Sequence, residues 1–387
     1  MPFDPKKMRG SVAIVGAAES DELGRLPHKS SLQLHMEATH NALADAGLKK
    51  SDIDAVFTSG RNMANDVPEY LGIRPRFIGG TQVGGCSFIL HVEHAMAAIN
   101  AGLCEVALIT HGESGYSRIA MPAPRWGDDS TNNQFELPYG ASGPATGYGM
   151  LATRHMHEFG TTSEQLAEVA VATRKWAALN PKAAMRDAIT INDVLSSRLI
   201  AWPFHLLDCC LVTDAGGAVI VTSAERARDL ATRPVYVLGT GECASHQMVS
   251  QMPSFTRWDA AVVSGERAFR MSGVDHDDID VAQFYDAFTI VPMLALEALG
   301  FCKPGESGPF VSGQRTAPGG AFPMNTNGGG LSYTHTGMYG IFTLIEAVRQ
   351  LRGECGPRQV QDAKVAICHG TGGVWSAAAT AILSTQR

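Results

Sequence analysis

The chain has 387 residues, 45% of them hydrophobic and 18% charged, with 41 glycines and a formal net charge of −7. Such a length favours two similar lobes, the composition is that of a well-buried α/β protein with many tight turns, and the charge excludes a basic nucleic-acid surface. No run of about 20 apolar residues marks a membrane span.

Met1 to Lys7 lacks the apolar core of a signal peptide, so a cytoplasmic location is the expectation. Residues 11–16 read as a buried strand closed by Gly16, and residues 31–46 have helical spacing with Leu32, Met36, Leu43 and Ala46 on one face. Gly47 is placed to end that helix as a left-handed cap, and Asp52-Ile53-Asp54 follows before an apolar strand. Gly84-Gly85-Cys86-Ser87 comes next, where a strand hands over to a helix spanning about 88–101, and a strand at 106–112 completes the unit. A thiol there would meet unpaired backbone N–H groups and the positive helix end, which favours thiolate. A buried cysteine filling a tight turn explains the same residues. The eight cysteines include no CxxC pair, so they read as free thiols and no metal site is expected.

Residues 116–204 are richer in Pro, Asn, Met and aromatics and read as an inserted loop or lid region with a helix near 163–178. The unit then repeats. A helix at 263–272 stops at Gly273, Asp278-Ile279-Asp280 follows at the same offset, and an apolar strand leads to Tyr285-Asp286-Ala287-Phe288. Tyr285 could present a phenol to a carbonyl oxygen and Asp286 could orient it or a water; a tyrosine in a core-edge turn is the alternative. In Gly328-Gly329-Gly330-Leu331-Ser332-Tyr333-Thr334-His335, the glycines allow close backbone approach to a ligand, and His335 is either a base or a cap of the helix near 338–352. The strand at 365–370 ends in Cys368-His369-Gly370, followed by Thr371-Gly372-Gly373, at the strand end where α/β folds place ligand chemistry. A glycine-rich turn beside a buried cysteine is the plainer explanation. A repeat this long means duplicated βαβ-type lobes. The division expected is residues 1–115 as the first part of an N-terminal lobe, 116–204 as the insertion, 205–230 as its return, and 231–387 as a C-terminal lobe.

Taken in order along the chain, Val83-Gly84-Gly85-Cys86-Ser87, Leu207-Asp208-Cys209-Cys210, Tyr285-Asp286-Ala287-Phe288, His335 and Cys368-His369-Gly370 resemble the thiolase superfamily, particularly its sterol-carrier-protein-type branch. The resemblance implies a thiolase-like fold of two lobes in a layered α-β-α-β-α core. It implies that Cys86 takes up the acyl group, that His335 activates it, and that Cys368 moves the proton at the substrate α-carbon, with His369 beside it. Gly85, Asp286, Gly329, Gly330, Gly370 and Gly372 would surround the substrate. The first expectation is therefore thiolase-type acyl transfer on a 3-oxoacyl-CoA, with coenzyme A as co-substrate and no bound cofactor. Where thiolases carry Asn or His this chain has Tyr285, and a second phenol, Tyr333, precedes His335. That pair resembles the lipid-transfer-protein aldolases, which implies retro-aldol cleavage of a 3-hydroxyacyl-CoA as the alternative; a lipid- or acyl-CoA-binding protein without catalysis is a third reading. The branch also implies a homodimer and a small OB-fold, zinc-containing partner protein.

Overall fold

The computed structural model describes residues 5–60, 64–119, 130–141 and 143–387. Residues 120–129 and 142 of the expected insertion, and Met1 to Asp4, lie outside them. In the first half β1 (Val12–Glu19) leads through α1 (Ser31–Ala46) to β2 (Ala55–Thr58) and the short β3 (Phe77–Gly79), then α2 (Ser87–Asn100) and β4 (Val106–Ser114). Helices α3 (Pro144–Phe159) and α4 (Ser163–Ala178) and a hairpin of β5 (Leu199–Ala201) and β6 (Phe204–His205) precede β7 (Asp214–Ser223). The second half runs β8 (Val235–Ala244), α5 (Asp259–Ser272), β9 (Val281–Phe284), α6 (Ile290–Ala298), α7 (Gly340–Arg352), β10 (Val365–Gly372) and β11 (Ala377–Ser384).

The strand order β3-β2-β4-β7-β1-β8-β11-β10-β9 is a pair of half-sheets arranged back to back about β1 and β8. These two strands join only through Ala13 opposite Tyr236 and Ile14 opposite Val235. Helices α2 and α7 pack between the half-sheets, α1 covers β1, β4 and β7, and α5 covers β8 and β11. This is a layered α-β-α-β-α core. The middle position explains the composition of α7: twelve of its thirteen residues are buried, which suits a helix with sheet on both sides.

The duplication extends to single hydrogen bonds. Gly47 and Gly273 end their helices at φ 65° and 64°. In each Asp-Ile-Asp the first carboxylate accepts a backbone N–H, Asp52 from Lys49 at 2.8 Å and Asp278 from Asp275 at 3.0 Å. The second holds the start of the neighbouring strand: Asp54 accepts from Glu105 and Val106 N–H at 3.0 and 2.9 Å, and Asp280 from Lys364 and Val365 N–H at 2.7 and 2.9 Å. These bonds satisfy strand-end donors that would otherwise be orphaned.

One detail of α1 differs from the expected face. Its buried side is Leu34, His35, Ala38, Thr39 and Ala42 with Leu43 and Ala46, while Met36 is 40% exposed. The sheet beneath is studded with glycine: a side chain on Gly16 would strike the Ala42 carbonyl, and one on Gly216 the Leu34 carbonyl. The helix therefore lies close to the sheet on small residues, and the bulky Met36 is left at the outside.

Candidate active site

A cavity of about 650 Å3 opens where the two halves and the 130–150 segment meet. Gly84 and Gly85 form part of its floor, Tyr148, Cys210 and Phe288 its sides, and Tyr285 and His335 a further wall. Glu136 closes one lip by accepting the Ser250 N–H at 2.7 Å.

Tyr285 directly follows β9, and its N–H continues the ladder to the His369 carbonyl at 2.9 Å. Its phenolic oxygen lies 2.9 Å from His335 Nε2, with the rings edge to face at 5.5 Å. His335 is clamped through its backbone: its N–H donates to Thr213 Oγ1 at 2.9 Å, and its carbonyl accepts the Thr213 N–H at 2.9 Å. Nδ1 accepts the Gly337 N–H at 3.3 Å. A nitrogen that accepts carries no proton, so the neutral ring holds its hydrogen on Nε2 and donates it to Tyr285. Burial drives the imidazole pKa down to about 4, which keeps it neutral at physiological pH. Burial also holds the Tyr285 phenol well above its ordinary value.

The other expected catalytic residues lie outside the cavity lining. Cys86 caps α2 but is fully buried and contributes no surface to the cavity. Its Sγ is 3.9 Å from the Val83 carbonyl. Burial pushes the thiol up to about 12, the Glu242 charge adds to this, and the helix-end N–H relieves only part of it, so the helix terminus does not produce a ready thiolate. Cys368 is also fully buried, with Sγ 3.4 Å from the Thr343 carbonyl inside α7, and burial raises its pKa. His369 points to the other side of β10, bonding Thr380 Oγ1 at 2.8 Å with its ring against Trp258 at 5.0 Å; burial lowers its pKa to about 3. Tyr333 faces away from the cavity. Its hydroxyl donates to Glu19 Oε1 at 2.6 Å, in a buried network where Arg349 pairs Glu19 at 2.6 Å.

Of the expected substrate-contacting residues, Gly85 alone lines the cavity. Gly329 and Gly330 serve Asp286 instead: a side chain at Gly329 would strike the Asp286 carboxylate, whose Oδ1 accepts the Gly330 N–H at 2.6 Å. Gly370 and Gly372 press against Cys86. Tyr148, which donates to the Gly373 carbonyl at 2.8 Å, was not singled out by the sequence. Its one local signal is the flanking pair Gly147 and Gly149, which pack against Val374 and the Trp202 carbonyl. Among the described residues, no group of three or more His, Cys, Asp or Glu side chains is placed to hold a metal ion, and no helix is long and apolar enough to cross a membrane.

Comparisons with known proteins agree with this architecture. Residues 241–385 match the thiolase C-terminal domain-like family. A 17-hydroxy-3-oxo-4-pregnene-20-carboxyl-CoA lyase of Mycobacterium tuberculosis is 39% identical over 89% of this chain and 92% of its own. An acetyl-CoA acetyltransferase of Methanothermobacter thermautotrophicus is 32% identical over 96% of this chain and 99% of its own. The solved Ltp2-ChsH2(DUF35) aldolase superposes with a TM-score of 0.90 at 34% identity, covering 98% of this chain and 99% of that one. The chain belongs to the thiolase superfamily, in the branch that holds the sterol-carrier-protein-type thiolases and the lipid-transfer-protein aldolases.

Proposed function

We propose that this protein is a carbon–carbon lyase that cleaves a 3-hydroxyacyl-CoA by a retro-aldol reaction, with Tyr285 as the acid/base group. The observation that carries this reading is the 2.9 Å Tyr285–His335 pair on the wall of the cavity, to which neither Cys86 nor Cys368 contributes surface. The Tyr285 phenolate, stabilised by the Nε2–H of His335, takes the proton of the substrate hydroxyl. The Cα–Cβ bond then breaks and its electron pair enters the thioester as an enolate. The phenol returns the proton to the α-carbon, releasing a carbonyl product and a shortened acyl-CoA. One proton passes through one residue, so no further acid is needed. Coenzyme A enters only as the carrier of the acyl group. The bulky, largely apolar cavity and the similarity to a steroid acyl-CoA lyase support a polycyclic acyl group. The likeness to the Ltp2-ChsH2(DUF35) aldolase supports a small partner protein, and the short edge strand β3 supports a homodimer.

Thiolase-type acyl transfer through Cys86 is the second reading, favoured by the similarity to an acetyl-CoA acetyltransferase and by the position of Cys86 at the start of α2. Turnover of paired 3-hydroxy- and 3-oxoacyl-CoAs separates the two. Tyr285→Phe should lower cleavage by about 100-fold or more while Cys86→Ala retains it. Turnover lost in Cys86→Ala, with an acyl adduct on Cys86 in the unaltered protein, would reject the aldolase.

A further inference from the structure

Cys86 lies immediately behind the cavity floor. Gly85 lines the cavity and the next residue does not. The thiol is enclosed by β10, since a side chain on Gly372 would come within 3.1 Å of Sγ, and by the turn at Val83. On the cavity side the phenols of Tyr285 and Tyr148 both lie near enough to feel the Cys86 thiol electrostatically. The Tyr285 ring rests directly on Gly85: any side chain there would collide with its Cε2 atom and approach its hydroxyl at 2.6 Å. Tyr148 is held to the far rim by Thr371 and Gly373.

We propose that Tyr285 has a second role: its ring is the wall that shuts Cys86 away from bound acyl thioester, so one residue supplies the base for cleavage and suppresses acyl transfer. Without the ring, a thioester would exchange at Cys86. A bond forms from Sγ to the acyl carbon, the bond to the coenzyme A sulfur breaks, and the thiol proton goes to that sulfur. This proposal builds on the reading of Tyr285 as the base, but its readout is independent of cleavage.

The test is iodoacetamide labelling of the folded full chain, with peptide mass spectrometry comparing Cys86 with Cys368. Cys368, fully buried on β10 with its sulfur against the Thr343 carbonyl of α7, serves as the internal standard, because unfolding exposes both thiols together. The Cys86-to-Cys368 rate ratio should match the unaltered protein in Tyr285→Phe, which keeps the ring, and rise about tenfold or more in Tyr285→Ala. Tyr285→Leu, which fills more of the gap and guards against misfolding of the alanine variant, should fall between them. Acetyl-CoA should then leave an acetyl group on Cys86 in the alanine variant only. A ratio unchanged in both the alanine and leucine variants, or a Cys86 already labelled as fast in the unaltered protein, overturns the wall. Cleavage surviving in Tyr285→Phe would overturn the base and leave the labelling result to decide the wall.

Discussion

The Gly330 N–H donates to Asp286 Oδ1 at 2.6 Å, and this bond ties the segment carrying Tyr285 to the loop carrying His335. The Leu331 N–H reaches the other carboxylate oxygen at 3.4 Å. The two segments are therefore joined twice, by the phenol–imidazole contact and by the residue after Tyr285 bonding the turn five residues before His335. Asp286→Ala removes the tie and leaves two buried donors unpaired. Activity should fall about 10- to 100-fold, through kcat more than KM, because small displacements of reacting groups cost rates of that order. Stability should drop by about 1–3 kcal/mol. Steady-state kinetics and thermal melting read both.

The same carboxyl gives a pH signature. Burial raises its pKa to about 7 despite the backbone hydrogen bonds that oppose the shift. A carboxyl raised in the folded state binds more protons there than when unfolded, so its contribution to stability is full below about pH 4 and lost as pH rises to about 7. Asp286→Asn should flatten that part of the stability–pH curve, as followed by urea unfolding.

Tyr285→Phe should lower kcat for retro-aldol cleavage about 10²- to 10⁴-fold while thermal stability shifts little. Because burial holds the phenol high, phenolate is scarce at neutral pH, and kcat/KM should climb with pH into the alkaline range. His335, down at about 4, is neutral throughout and should add no break near pH 6.5. A flat profile in the unaltered enzyme would count against the phenolate base.

Cys86→Ala and Cys368→Ala should each leave kcat within about threefold of the parent, since neither thiol reaches the cavity. Any loss should appear as reduced thermal stability, from the space each sulfur leaves.

Tyr333→Phe removes a hydrogen bond to a buried carboxylate and should cost about 1.5–3 kcal/mol of stability. Glu19→Ala should cost more, about 3–5 kcal/mol, because Arg349 is left without its partner. Both variants should keep kcat while folded; a loss of kcat with an unchanged melt in Tyr333→Phe would reinstate that phenol in catalysis.

The frame of the fold was legible because it is local. Each Asp-Ile-Asp repeats a hydrogen-bonding task that depends on the strand beginning beside it, and the glycines at 47 and 273 end helices in the way their spacing suggests. Tyr285 and His335 were legible as motif positions. What stayed hidden is direction. Tyr333 is two residues from His335, yet it closes the π-helical turn Gly329–Tyr333, and its hydroxyl goes to Glu19, 314 residues earlier in the chain. The three glycines looked like a ligand cradle, but Gly329 and Gly330 make room for Asp286 and Gly328 for Ala177. Cys86 carried a sound argument from helix ends, but that argument omits how deeply the turn is buried, which is decided by β10 from the other half.

The paired aspartates carry a consequence for how such a protein can change. Counted five places on from Asp54 and Asp280, Ser59 and Tyr285 occupy equivalent positions beyond equivalent strands. Ser59 bonds Gln82, and Tyr285 meets an imidazole. The carboxylates hold the starts of the neighbouring strands β4 and β10 through bonds that involve neither tip side chain. A change of side chain at either tip would leave those strand-holding bonds in place.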